Sequence, residues 1–189
     1  MMPKIEFVYS FQYADRFRQM PITKEYLSKR GEKYPTPKKI RSFIKRIKKI
    51  WTREGQKVLR EISKISRLKW KEKEIKCYII WIGRALSSPL TIKVTNSPNE
   101  LIDTLTRKLI HQIQSQNYEK FKNWLEYIAD EYKEEKFRTQ NHILLHALHK
   151  KICLSLYNKR RLKNLIKSGS IPNYKNKKTS EEIIKKFWM

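Results

Sequence analysis

The chain has four histidines, gathered in two short segments, and their spacing is the first feature with chemical potential. His142, His146 and His149 stand at i, i+4 and i+7 in "NHILLHALH", so on a helix they share one face. His111 stands in "TLTRKLIHQI". Imidazoles one turn apart can converge on a single ion, with nitrogen about 2.0–2.1 Å from zinc. His111, His142, His146 and His149 are therefore the candidate metal ligands. Against this stands the ordinary role of histidine on an amphipathic helix, half-buried or bonded to a carbonyl. A strongly cationic chain also disfavours a further dication.

Arg107-Lys108-Leu109-Ile110-His111 has the spacing and apolar filler of an HExxH zinc helix, but cations stand where the first histidine and the glutamate would be. Arginine keeps its proton and has no lone pair for a metal. An ammonium at 108 is no carboxylate base. A different chemistry is open to the same pair, because a guanidinium and an ammonium can receive a phosphate. The plain alternative is an internal ion pair, with Asp103 one turn earlier or with Glu126 or Asp130 of the next helix. No GxSxG, P-loop, GxGxxG or paired-cysteine pattern is present. Cys77 and Cys153 lie in apolar stretches, which predicts buried free thiols in a reducing compartment.

The balance of 44 Lys+Arg against 18 Asp+Glu, a net +26, predicts attraction to polyanions, nucleic acid first among them. Residues 1–70 hold 20 basic and 6 acidic side chains, 71–135 hold 10 of each, and 136–189 hold 14 and 2. Two basic arms thus flank a neutral centre. Few glycines with much Lys, Ile and Asn also fit a genome rich in A and T, which raises lysine content by itself.

These residues need elements to hold them, and 189 residues at 39% hydrophobic suffice for one core. "IEFVYSF" (5–11) alternates with period two and reads as a strand. Thr36-Pro37 caps a long amphipathic helix, 36–66, broken near Gly55. One face of that helix carries Ile40, Phe43, Ile44 and Ile47. The other carries Lys38, Lys39, Arg41, Lys45, Arg46, Lys48, Lys49 and Arg53, the candidate nucleic-acid or anion-binding residues. Trp51, Trp70 and Trp81 read as core rather than as platforms for bases. "IKCYIIWIG" (75–83) reads as a strand buried on both faces, and "PLTIKVT" (89–95) as a half-exposed edge strand. "SPNE" (97–100) is a capping box opening the helix that carries His111, with Leu101, Ile102, Leu105, Leu109 and Ile113 as its core face. Helices follow over 118–135 and 139–157.

The order strand, long helix, two strands, capped helix with a histidine, then a histidine-bearing helix resembles the minimal zincin fold of small HExxH metallopeptidases. "ALSSPLTIKV", "NELIDTLTRKLIHQ" and "NHILLHAL" are together similar to small intracellular members with an HELIH-type motif, over residues 66–150. The resemblance implies two helix histidines on zinc, a glutamate activating the zinc water, and a ligand from a following element. By position, Arg107 replaces a ligand, Lys108 replaces the base, His111 is the remaining ligand, and His142 or His146 is the candidate third.

The expected fold is α+β, zincin-like: a small mixed or antiparallel sheet, with strands near 5–11, 75–83 and 89–95, packed with four to five helices. A mostly helical basic domain is the alternative. Residues 1–166 form the domain, and 167–189 a basic tail with a short capped helix from Thr179. The expected function is a catalytically degenerate binding or structural module contacting nucleic acid or an acidic protein, with no cofactor. Two other readings remain open. One is a metal-dependent hydrolase using zinc on His111 with His142, His146 and His149; the other is a helical nucleic-acid binder unrelated to zincins. No run approaches the ~18 apolar residues of a membrane span, so a cytoplasmic protein with no membrane partner is expected.

Overall fold

Four strands form the central sheet of the computed structural model, which describes residues 1 to 167. They are β1 (Lys4–Val8), β2 (Glu74–Ile80), β3 (Leu86–Ser87) and β4 (Leu90–Lys93), in the spatial order β1-β2-β4-β3. β1 and β4 each pair in parallel with β2, setting Phe7 opposite Cys77 and Ile79 opposite Ile92. β3 folds back antiparallel onto β4, with Ser87 opposite Leu90. The fold is therefore α+β with a mixed sheet.

Parallel neighbours need a crossover, and the one between β1 and β2 consists of α1 (Phe11–Gln19), α2 (Pro21–Lys29) and α3 (Pro37–Ser66). In α3 the cap expected from sequence forms: Thr36 accepts from the Lys39 amide at 3.4 Å, with Pro37 in the first turn. Its apolar stripe, Ile40, Phe43, Ile44, Ile47, Ile50, Val58, Leu59, Ile62 and Ile65, is buried throughout. Each such side chain contributes about 1.5–3 kcal/mol on leaving water, which anchors the helix in the core over its whole length.

The expected break at Gly55 does not occur. The Trp51 indole covers that residue so closely that an added Cβ would lie 2.4 Å from its Cε2. Gly55 makes room for a tryptophan one turn earlier and does not interrupt the helix.

Other expectations need correcting. The first strand stops at Val8, because Ser10 turns to cap α1 and accepts from the Tyr13 amide at 3.3 Å. α1 and α2 fill a stretch read only as polar; they bury little beyond Ala14, Thr23 and Leu27, too little for a visible stripe. β2 alternates exposed and buried residues until Ile79 and Ile80, so only its end is covered on both sides. β4 is interior, because β3 takes the edge that β4 was expected to form.

α4 (Pro98–Gln116), α5 (Tyr118–Glu131), α6 (Phe137–Leu156) and α7 (Lys159–Lys167) complete seven helices among the described residues, where four to five were expected. Ser97 caps α4, accepting from the Glu100 amide at 3.2 Å, and the predicted core face of α4 is buried. Only half of the capping box forms, since the Glu100 carboxylate accepts from the Thr95 hydroxyl. The tail helix predicted from Thr179 lies outside the described residues. Cys77 and Cys153 are free and buried. No helix among the described residues is long and apolar enough to cross a membrane.

Candidate functional site, a cationic cleft between α4 and α6

α4 is pinned at both ends. At its start stands the Ser97 cap. Near its end Gln112 donates to the Ser87 carbonyl, Gln116 accepts from the Lys71 amide at 2.9 Å, and Asn117 donates to the Lys69 carbonyl at 2.8 Å. These bonds hold one face of the helix, residues 100, 104, 107, 108 and 111, toward one face of α6, residues 139, 142 and 146. Between them, closed by the loop after β2 and the end of β4, lies a cleft of about 740 Å³.

Among the described residues, four cations line it, Arg84, Lys93, Arg107 and Lys108, against a single carboxylate, Glu100. Three of the four candidate histidines line it too. The His111 ring stands edge-on to His142 at 5.7 Å between centroids, and His142 stacks near His146 at 5.8 Å. His149 does not line the cleft. It is 2% exposed, and its Nδ1 has no hydrogen-bond partner among the described residues.

The electrostatics follow from crowding positive groups away from water. Burial lowers the Arg107 pKa from its ordinary value. It lowers that of Lys108 as well, with the Arg107 charge adding to the effect. Burial, then the Lys108 charge, brings His111 down to about 4. His146 also falls to about 4, through burial and then His142. His149 falls to about 3, through burial and then Arg107. All three rings are neutral at pH 7.

Asp103, the acid expected beside Arg107, is held elsewhere. Arg161 of α7 donates to Asp103 Oδ1 from Nη2 at 2.6 Å and from Nε at 3.1 Å, while its guanidinium stacks 3.6 Å over the Tyr157 ring. Burial raises the Asp103 pKa and the arginine opposes that shift. A partner 58 residues along the chain, brought in by the packing of α7, has displaced the local one.

Zinc, which the resemblance implies, fits these residues poorly. Neutral imidazoles are the right donors, but Arg107 and Lys108 bring charge of the wrong sign to the same cleft and offer no lone pair. Among the described residues, no three of His, Cys, Asp and Glu are grouped to hold an ion. The charge that lines the cleft has the sign that attracts anions.

Comparison with known proteins adds no family. The chain matches no family model, no curated protein and no solved structure.

The second candidate region lies beside the first. Lys38, Lys39, Arg41, Lys45, Arg46, Lys48, Lys49 and Arg53 are all exposed on α3, and none forms an ion pair among the described residues. Arg46 Nη2 donates to the carbonyl of Thr95, a cleft residue, at 2.9 Å. Lys39 Nζ sits 5.0 Å over the ring of Trp81, two residues before Gly83 on the cleft wall. Trp70 is core, as expected, with Nε1 donating to the Leu59 carbonyl at 3.2 Å. Trp51 and Trp81 are half-buried.

Sequence reasoning missed Arg84 and Lys93 as cleft cations and Arg161 as a clip. Nothing in their local sequence marks them; β-strand order and the packing of α7 bring them into place.

Proposed function

We propose that this chain is a non-catalytic, zincin-like binding module whose cleft and basic α3 face receive nucleic acid. The observation that carries the reading is the identity of two cleft side chains. Where an HExxH helix would present a ligand and a base, α4 presents a guanidinium and an ammonium, with Arg84 and Lys93 across the same space. The packing of α4 on β3 and β4, with His111 facing His142, supports the zincin likeness. The abundance of unneutralised lysine and arginine on α3 supports a polyanion over a small ligand.

The test compares the native chain, purified without a histidine tag, with Arg107→His/Lys108→Glu. The native chain is expected to bind oligonucleotides and heparin, losing about a thousandfold in affinity between 50 and 200 mM salt, and to carry no zinc. The double variant is expected to bind both polyanions more weakly and to gain stoichiometric zinc by metal analysis. Absent or salt-insensitive binding sinks the nucleic-acid reading. Stoichiometric zinc in the native chain would instead favour a metal-dependent hydrolase on His111, His142 and His146.

A further inference from the structure

α3 and the cleft are one surface. Arg46 is the hinge between them: it stands in the exposed basic row of α3, yet its guanidinium is tied to Thr95 on the cleft wall. Lys39, two turns earlier on the same helix, lies over Trp81 beside the loop that forms the opposite part of that wall. From Lys38 to Arg53 the row extends about 22 Å at 1.5 Å per residue, with no acid until Glu54.

The two parts differ in shape, and the difference selects the ligand. An exposed helix face accepts any phosphate backbone. The cleft, at about 740 Å³, is in the range of small-molecule pockets, about 300–1,000 Å³. A nucleotide or two fit there. A duplex, whose major groove alone is about 12 Å wide, does not. The rings of His111 on α4 and His142 on α6, which both line the cleft, offer a base stacking surface and hydrogen-bonding edges.

We infer that the cleft holds a nucleotide of a single strand, with Lys108 and Arg107 on its phosphate, and that the backbone continues past Arg46 onto the basic face of α3. The inference rests on the nucleic-acid reading above and narrows it to unpaired strands. Lys108 has no acidic partner among the described residues, so a phosphate there gains an ion pair without breaking one. Pairing would hide the bases and stiffen the backbone across the step from helix face to cleft; an unpaired strand can bend through it.

The experiment measures binding of labelled oligodeoxythymidylate and of a duplex of equal total charge to the full chain. Variants Lys108→Glu, Lys108→Gln and Arg46→Glu are set against Lys57→Glu, an equal charge change farther along α3. Single strands are expected to bind at least tenfold tighter than the duplex. Lys108→Glu and Arg46→Glu are each expected to weaken single-strand binding about tenfold, and Lys57→Glu much less. Lys108→Gln, which retains most of the side-chain volume, is expected to lower the slope of log K against log salt by about one. Thermal melts confirm that each variant is folded. Equal affinity for duplex and single strand, or a Lys108→Glu loss no greater than that of Lys57→Glu, overturns the inference and leaves polyanion binding on α3 standing. No binding to either oligonucleotide overturns both.

Discussion

His149 is 2% exposed, on a helix whose neighbouring residues Leu144, Leu145, Ala147 and Leu148 are all core. Its neutral form is enforced by burial, with Arg107 nearby adding to the cost of a second charge. The sign of the consequence is fixed. In the unfolded chain histidine titrates near its ordinary 6.5, whereas folded His149 takes a proton only near 3 and His146 near 4. Below pH 6.5 the unfolded state therefore binds protons first, and stability falls with pH, by about 1.4 kcal/mol per pH unit for each histidine. Above 6.5 this contribution is constant. Urea midpoints taken between pH 7.5 and 4.5 should show the decline, and His149→Leu should make it shallower. Because Nδ1 lacks a hydrogen-bond partner among the described residues, that variant is expected to lose less than about 1 kcal/mol at pH 7. An unchanged acid limb in His149→Leu would contradict the assignment.

Helices were the most legible elements, and they also show where reading along the chain stops working. The starts of α3 and α4 follow from Thr36-Pro37 and Ser97-Pro98, because a cap is made by residues within one turn of each other. The core stripe of α3 likewise follows from its own periodicity. Gly55 was misread because its role depends on the rotamer of Trp51, not on backbone propensity. On propensity alone, Gly55→Ala stabilises a helix interior by about 1 kcal/mol. Here the added Cβ meets the indole, and overpacking of this kind costs about 1–3 kcal/mol. Gly55→Ala should therefore lower the urea midpoint in the native background and raise it when combined with Trp51→Ala. A double-mutant cycle measures the coupling, and additivity of the two changes would rule out the close packing. Short, exposed α1 and α2 left no such stripe to find, and β3, two residues long, was invisible beside the strand that it screens.

At the scale of the whole molecule, +26 on 189 residues sets two effects of salt against each other. Repulsion among the exposed lysines and arginines of α3 opposes compaction, and salt screens it. The same salt makes counterion release less favourable and so weakens binding to phosphates. The melting temperature of the free chain should thus rise between 20 and 300 mM sodium chloride, while oligonucleotide affinity falls over the same range. A melting temperature that fell with added salt would mean that attractive pairs such as Arg161–Asp103, at 2.6 Å, outweigh the repulsion.

By itself the sequence determined the α+β class, the capped starts of α3 and α4, the buried free cysteines, and the presence of cations where a zinc helix has a ligand and a base. These are written in residues close together, where spacing and side-chain chemistry suffice. Only the tertiary structure decided that Arg84 and Lys93 share a cleft with Arg107 and Lys108, that His149 turns into the core while His111, His142 and His146 line that cleft, and that Asp103 belongs to Arg161. It also joined the basic row of α3 to the cleft through Arg46. Each of those outcomes is a choice among partners dozens of residues apart, made by strand order, helix docking and the burial cost of leaving a charge alone, and no local pattern encodes that competition.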